Sequence, residues 1–249
     1  GTVEELYWVG GEPLMYDIHW RAMDRLAQDD TLKLVHLRYN SNLSRVRLGK
    51  HYLYDWLPQA KDWTMCASID GTGWIGEFIR TGLKWDQWDK NFREGVALPG
   101  GNDKMLMDLT LTGPGMFDLK NFFDYAQELD VKIETKRMFA FHSDIVFSPM
   151  AWPRHILDRI IHENLDYIKP RATHKQETLI RELENMLTVP TFEEQWPDEH
   201  EDSFFKGRKW QRRIAEMRPD QSTTIEDVYK LDSELYDWWM RTDYKDNQR

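Results

Sequence analysis

The sharpest chemical signal in the sequence is the tetrapeptide Gly10-Gly11-Glu12-Pro13. Two glycines let backbone groups approach a ligand closely, Glu12 offers a carboxylate to an ammonium group, and Pro13 suits the first turn of a helix. The same residues also make an ordinary tight strand-to-helix turn, and the tetrapeptide alone does not separate the two readings. Asn40 and Asn42 stand two apart at the end of one strand-like run, and Ser68 and Asp70 at the end of another. Strand alternation puts both members of each pair on one face, where they could converge on a polar ligand; turn capping is the simpler reading of either pair in isolation. Arg80 follows Asp70 beside Gly82 and is either a surface cation or a clamp for a carboxylate. Glu12 and Asp70 could also act as acid and base in an α/β-barrel hydrolase or lyase.

Other chemistry-bearing residues read as structure. His155, Asp158 and His162 share one helix face, yet a metal site there needs further ligands. His19 and His36 read as packing or surface histidines, and Trp85, Trp88, Trp238 and Trp239 as core and docking anchors. Cys66, inside an apolar run, reads as a small core residue. No G-x-S-x-G, P-loop or H-E-x-x-H motif is present. No residue is singled out as catalytic, and no metal ligand is assigned.

These residues need elements to hold them. Apolar runs at 6–9, 32–39, 64–69, 105–111 and 131–138 predict five strands, and each ends in a polar or glycine-rich loop. Helical patterns lie between them, with Ile18, Ala22, Met23 and Leu26 marking the first apolar face and further helices over 52–60, 74–80 and 117–129. Repeated strand–helix units predict an α/β fold around a parallel sheet, with ligands at the loop edge. Beyond Met138 the pattern changes. Residues 139–152 read as a long loop or irregular strand, 153–168 and 173–187 as amphipathic helices, 189–203 as an acidic linker, and 204–217 and 224–242 as helices. The expected division is a domain over 1–150 and a helical extension over 151–249.

The 249 residues, 41% of them hydrophobic and 13% aromatic, are enough to bury a core, which excludes global disorder. A net charge of −10 disfavours nucleic acid and anionic membrane surfaces, although Lys206 to Arg213 forms a local basic stretch. One cysteine permits neither an internal disulfide nor a cysteine-ligated cluster, and a reducing cytoplasmic setting fits it best. No apolar run has the length of a membrane span.

Taken in order, four stretches resemble the radical S-adenosylmethionine (SAM) superfamily, in particular its SPASM/twitch-type members. They are Val9-Gly10-Gly11-Glu12-Pro13-Leu14, Leu37-Arg38-Tyr39-Asn40-Ser41-Asn42-Leu43, Ser68-Ile69-Asp70-Gly71-Thr72-Gly73, and Phe78-Ile79-Arg80 running on through Lys84-Trp85-Asp86 to Asn91. The resemblance covers about residues 5 to 170 and fades in the C-terminal helices. It implies a partial (β/α)6 TIM-like barrel with SAM across the C-terminal strand ends. Gly10, Gly11, Glu12 and Pro13 would hold the methionine amino group. Asn40 or Asn42, Ser68 and Asp70 would face the methionyl and ribose portions, and Arg80 would pair with the methionine carboxylate.

The resemblance further implies a reduced [4Fe-4S] cluster, an electron donor such as flavodoxin or ferredoxin, and a 5′-deoxyadenosyl radical that abstracts hydrogen from a peptide, protein or small-molecule substrate. The superfamily's CxxxCxxC, which follows its first strand, does not occur here, and Cys66 cannot replace it. The auxiliary-cluster cysteines of SPASM and twitch domains are absent as well. The expectation is a chain that starts at the superfamily's second strand and is inert alone. The alternative is a non-catalytic SAM-binding or protein-binding scaffold on the same barrel.

Overall fold

The structure is a computed structural model describing residues 3–138, 142–218 and 223–242. Its strands in chain order are β1 (Glu5–Trp8), β2 (His36–Ser41), β3 (Arg47–Leu48), β4 (His51–Tyr52), β5 (Asp62–Ser68), β6 (Met105–Leu111) and β7 (Lys132–Arg137). Helices α1 (Asp17–Gln28), α2 (Leu53–Trp56), α3 (Gly73–Ile79), α4 (Trp85–Val96), α5 (Gly101–Lys104) and α6 (Leu119–Glu128) fall among them. Then follow α7 (Arg154–Ile168), α8 (Glu177–Thr188), α9 (Phe192–Gln195), α10 (Pro197–Glu216), α11 (Ile225–Tyr229) and α12 (Ser233–Met240). No helix among the described residues is long and apolar enough to cross a membrane.

The fold is α/β. Five strands form one sheet in the order β1-β2-β5-β6-β7, and the β1–β2, β2–β5 and β5–β6 pairings are parallel. Apart from the two-residue β3–β4 hairpin, each strand lies beside its successor in sequence, the order produced by repeated strand–helix winding. Among the described residues the sheet is open, with β1 and β7 at its edges.

The chain divides into two compact units. The first comprises Gly1–Ile69, Gly82–Leu109 and Asp124–Glu134, and the second Asp70–Thr81, Thr110–Phe123 and Thr135–Arg249. They interleave in sequence rather than meeting at one boundary near residue 150.

In the first unit, alternation along the strands makes one sheet face apolar and the other mostly polar. Leu37 and Tyr39 on β2, Trp63, Met65 and Ala67 on β5, and Met105, Met107 and Leu109 on β6 are buried. Arg38, Asn40, Thr64, Cys66, Ser68, Leu106 and Asp108 occupy the intervening positions, are polar except for Leu106 and Cys66, and are half-buried or exposed. Parallel sheets usually bury both faces, so a mostly polar second face sets this one apart. On the apolar side, α1 contributes Trp20 and Met23, α2 Tyr54 and Trp56, and α4 Trp88 and Phe92. The Trp20 and Trp56 rings lie 5.8 Å apart, and Trp88 stacks between Trp85 and Phe92.

The second unit is mainly helical. Trp152, Tyr229 and Phe117 meet at its centre, and Phe204 contacts both Trp238 and Trp239. The four tryptophans singled out in the sequence are thus packing residues, two in each unit.

Several sequence expectations need correction. Residues 32–34 form a 3₁₀ turn rather than strand, and β2 begins at His36. The buried face of α1 is His19, Trp20 and Met23, while Ile18 is exposed. The helix expected over 52–60 is the short α2 followed by a 3₁₀ turn. Most of the expected linker over 189–203 is helical, because Pro197 occupies the first turn of α10 instead of breaking it. The single helix expected over 224–242 is α11 and α12. Of the loop expected over 139–152, residues 139–141 lie outside the described residues, and 142–147 and 149–151 are 3₁₀ turns.

Candidate functional site

In the first unit the Gly10–Pro13 turn leaves the C-terminal end of β1. Gly10 has φ +114°, a conformation L side chains rarely adopt, with open space where a Cβ would stand. Glu12 caps the 3₁₀ turn Pro13–Met15, its Oε1 accepting from the Leu14 amide at 3.1 Å. The carboxylate also reaches the end of β2. Ser41 Oγ donates to Oε1 at 2.7 Å, and the Asn42 amide donates to Oε2 at 2.6 Å. Three donors on a group with about four acceptor positions leave roughly one for anything else. Leu43 N in turn donates to Ser41 Oγ at 2.9 Å.

The structure therefore joins two of the sequence-predicted stretches, those around Glu12 and Asn42, through direct hydrogen bonds. The residue that links them, buried Ser41, carries no chemical signal of its own between two asparagines. Asn40 and Asn42 do not share a face as expected. β2 ends at Ser41, and exposed Asn42 turns back to accept from Ser44 N at 2.9 Å, the turn-capping role open to any Asn at a strand end. Asn40 stays on the polar face of the sheet, and its Oδ1 is buried with no hydrogen-bond partner. Such an atom carries a desolvation penalty unless a ligand donor meets it.

Ser68 is the last residue of β5, and its Oγ lies 3.4 Å from Asp108 Oδ2 on β6, the strand partner in register. The strand stops there, so the alternation expected to align Ser68 with Asp70 does not extend to Asp70. Cys66 is half-buried on this same polar face rather than in the core.

Asp70 and Arg80 belong to the second unit and are joined to each other. Arg80 Nε donates to Asp70 Oδ2 at 2.7 Å, and Thr110 N donates to Oδ1 at 2.9 Å. The loop between them is pinned by Asp118, which accepts from the amide and hydroxyl of Thr72 and from Asn121 Nδ2. Burial pushes the Asp118 carboxyl up from its ordinary range. Gly115 is required here: a Cβ would come within 2.8 Å of the Asp70 carbonyl oxygen. Asp118 carries no signal in the sequence, because it lies 46 residues from Thr72 and only the fold brings them together.

His155 is exposed and lies 3.1 Å from Glu234, and Asp158 pairs with Arg154, so the helix face they share with His162 is built for ion pairs. Among the described residues no group of three His, Cys, Asp or Glu could hold a metal ion. Within the basic stretch on α10, Arg208 donates to the carbonyl oxygens of Trp239 and Arg241, and Arg212 pairs with Glu226.

No protein-family model matches the chain, and no curated protein matches it.

Proposed function

We propose that this chain is the wall of a radical-SAM-type partial barrel that binds S-adenosylmethionine through the loops following its first strands. The observation that carries the reading is the Glu12 clamp. A Gly-Gly-Glu-Pro turn after β1 is tied through its carboxylate to the polar loop after β2, at the C-terminal strand edge where α/β folds bind ligands. The sequential parallel strand order and the mostly polar second face of the sheet support it, since a face of that kind would suit the lumen of a barrel.

The residues present fit such a ligand in kind. Gly10 and Gly11 would let backbone approach an amino acid moiety, and Glu12 would present its remaining acceptor position to an ammonium group. The orphaned Asn40 Oδ1 would accept from an ammonium or a ribose hydroxyl. When bound, the group would supply an activated sulfonium.

A [4Fe-4S] cluster does not fit this chain: three thiolates are needed, and Cys66 is its one cysteine. No radical step is therefore assigned to these residues, and what they support is binding. The acid–base reading gains nothing, since both Asp70 oxygens already accept hydrogen bonds.

The test is anaerobic titration calorimetry of the chain with SAM. Saturable binding is expected, weakened about tenfold in Asn40→Ala. That variant keeps its thermal midpoint, because Asn40 Oδ1 contributes no internal hydrogen bond. Absence of binding up to millimolar SAM, or equal affinity in the variant, would overturn the reading.

A further inference from the structure

A cavity of about 340 Å³ in the first unit opens between the loop after β2 and helix α4. Its lining includes Ser44, Arg45, Arg47, Lys90, Asn91 and Glu94. Three cations thus face one carboxylate, in a chain whose net charge is −10. The carboxylate is already engaged, because Tyr52 Oη donates to Glu94 Oε2 at 2.7 Å. The Arg47 guanidinium sits over the Tyr52 ring, 3.3 Å from its centroid, which limits the freedom it would lose on binding a ligand. Arg45 and Lys90 form no ion pair with a described residue.

The loop that carries Arg45 and leads into β3 at Arg47 is held in an uncommon shape. Leu43 has φ +53°, in the left-handed region that a bulky residue seldom enters. Its amide donates to Ser41 Oγ at 2.9 Å, and its carbonyl oxygen accepts from Asn91 Nδ2 at 2.8 Å. Asn91 is buried in the cavity floor, where Gln87 donates to its Oδ1 at 2.8 Å and Tyr54 Oη donates to its carbonyl oxygen at 2.5 Å. Strain fixed from two sides at the wall of a cationic cavity is the arrangement expected where a loop is shaped to present charge.

We propose that this cavity binds a phosphate dianion, free or as part of a small phosphorylated molecule, through Arg45, Arg47 and Lys90. Two guanidinium forks and an ammonium match the charge and the several acceptor oxygens of phosphate better than those of a single carboxylate. A volume near the lower end of ligand pockets suits a small molecule, and the acidic chain as a whole repels a polyanion. The site is independent of the SAM reading and stands or falls separately from it.

The experiment is a ¹⁵N–¹H correlation titration of the full chain with inorganic phosphate, with chloride and citrate at matched ionic strength as controls. Saturable shifts confined to residues 43–47 and 87–94 are expected. Arg45→Gln and Lys90→Gln should each weaken phosphate binding about tenfold with the remaining spectrum unchanged. Glycerol phosphate in place of inorganic phosphate tells the two sources apart: tighter binding assigns the site to an ester, weaker binding to free phosphate. No saturable shift, shifts that chloride or citrate reproduces, or unchanged affinity in both variants would overturn the proposal.

Discussion

His19 shows how a single side chain sets a pH limit on this fold. It is fully buried, with its ring edge-on to Trp8, Trp20 and Tyr39 at centroid distances of 4.8, 5.0 and 5.5 Å, and its Nε2 lies 3.0 Å from Tyr39 Oη. Burial lowers its pKa from 6.5 to about 4. The unfolded chain therefore takes up a proton at this residue before the folded one does, and stability falls as pH drops from about 6.5 to about 4, by at most about 3 kcal/mol. Above that window His19 is neutral in both states and contributes no slope. Urea denaturation at stepped pH should show the loss, and His19→Phe should flatten it; an unchanged slope in the variant would assign the effect elsewhere. Residue chemistry of this kind was only partly legible in the sequence. Glu12, Asp70 and Arg80 can be selected by type and spacing, and Asp70 and Arg80 prove to be each other's partners, but the donors to Glu12 and the second donor to Asp70 cannot be read, because strand register and a loop far along the chain bring them in. Asn42 looked like half of a ligand pair and is a turn cap, whereas Ser41, which looked inert, bridges the two motifs.

At the scale of elements, Arg154 joins three helices of the second unit. From the first turn of α7 it donates to the carbonyl oxygens of Met186 and Val189, at 3.2 and 2.6 Å, which lie at the C-terminal end of α8 and would otherwise lack partners. Its Nη2 also pairs with Glu194 of α9 at 2.7 Å, and Arg154 holds that carboxylate down at about 2. Arg154→Ala should cost about 2 kcal/mol, most of it from the abandoned helix-end carbonyls rather than from the half-exposed ion pair. Restoring the charge as Arg154→Lys should recover little, since one ammonium cannot span all three groups; full recovery in a denaturation series would show that charge alone matters. Elements were more legible than contacts. The pattern predicts β6 at its observed bounds because Met105, Met107, Leu109 and Leu111 alternate without interruption. Helix α4 was not predicted as a helix, because its buried residues Trp88, Asn91, Phe92 and Gly95 include a polar side chain and a glycine that blur the apolar stripe. In α10 the proline and acidic residues that suggest a linker are the starting signals of a helix, with Pro197 in its first turn and Asp198 and Glu199 beside it.

At the scale of the whole molecule, the interleaved units carry a consequence for where the chain can be divided. The second unit takes in Thr110–Phe123 together with everything after Thr135, and its core depends on that earlier segment. The Phe117 ring lies 5.9 Å from Trp152 and 6.2 Å from Tyr229, Phe123 meets Tyr167 at 6.4 Å, and Asn164 Nδ2 donates to the Met116 carbonyl oxygen at 3.3 Å. A boundary near residue 150 is attractive in the sequence because strands give way to helices there, but a change of pattern marks a change of element type and not the edge of a core. A fragment of residues 151–249 should therefore keep some helical far-ultraviolet signal while losing the near-ultraviolet signal of Trp152 and Trp239. It should show poor amide dispersion and melt without a cooperative transition, because Phe117, Phe123 and Met116 are missing from its interior. A dispersed spectrum and a sharp melt from that fragment would show instead that the C-terminal helices form a core of their own, and that the packing on Phe117 joins two pieces each able to fold alone.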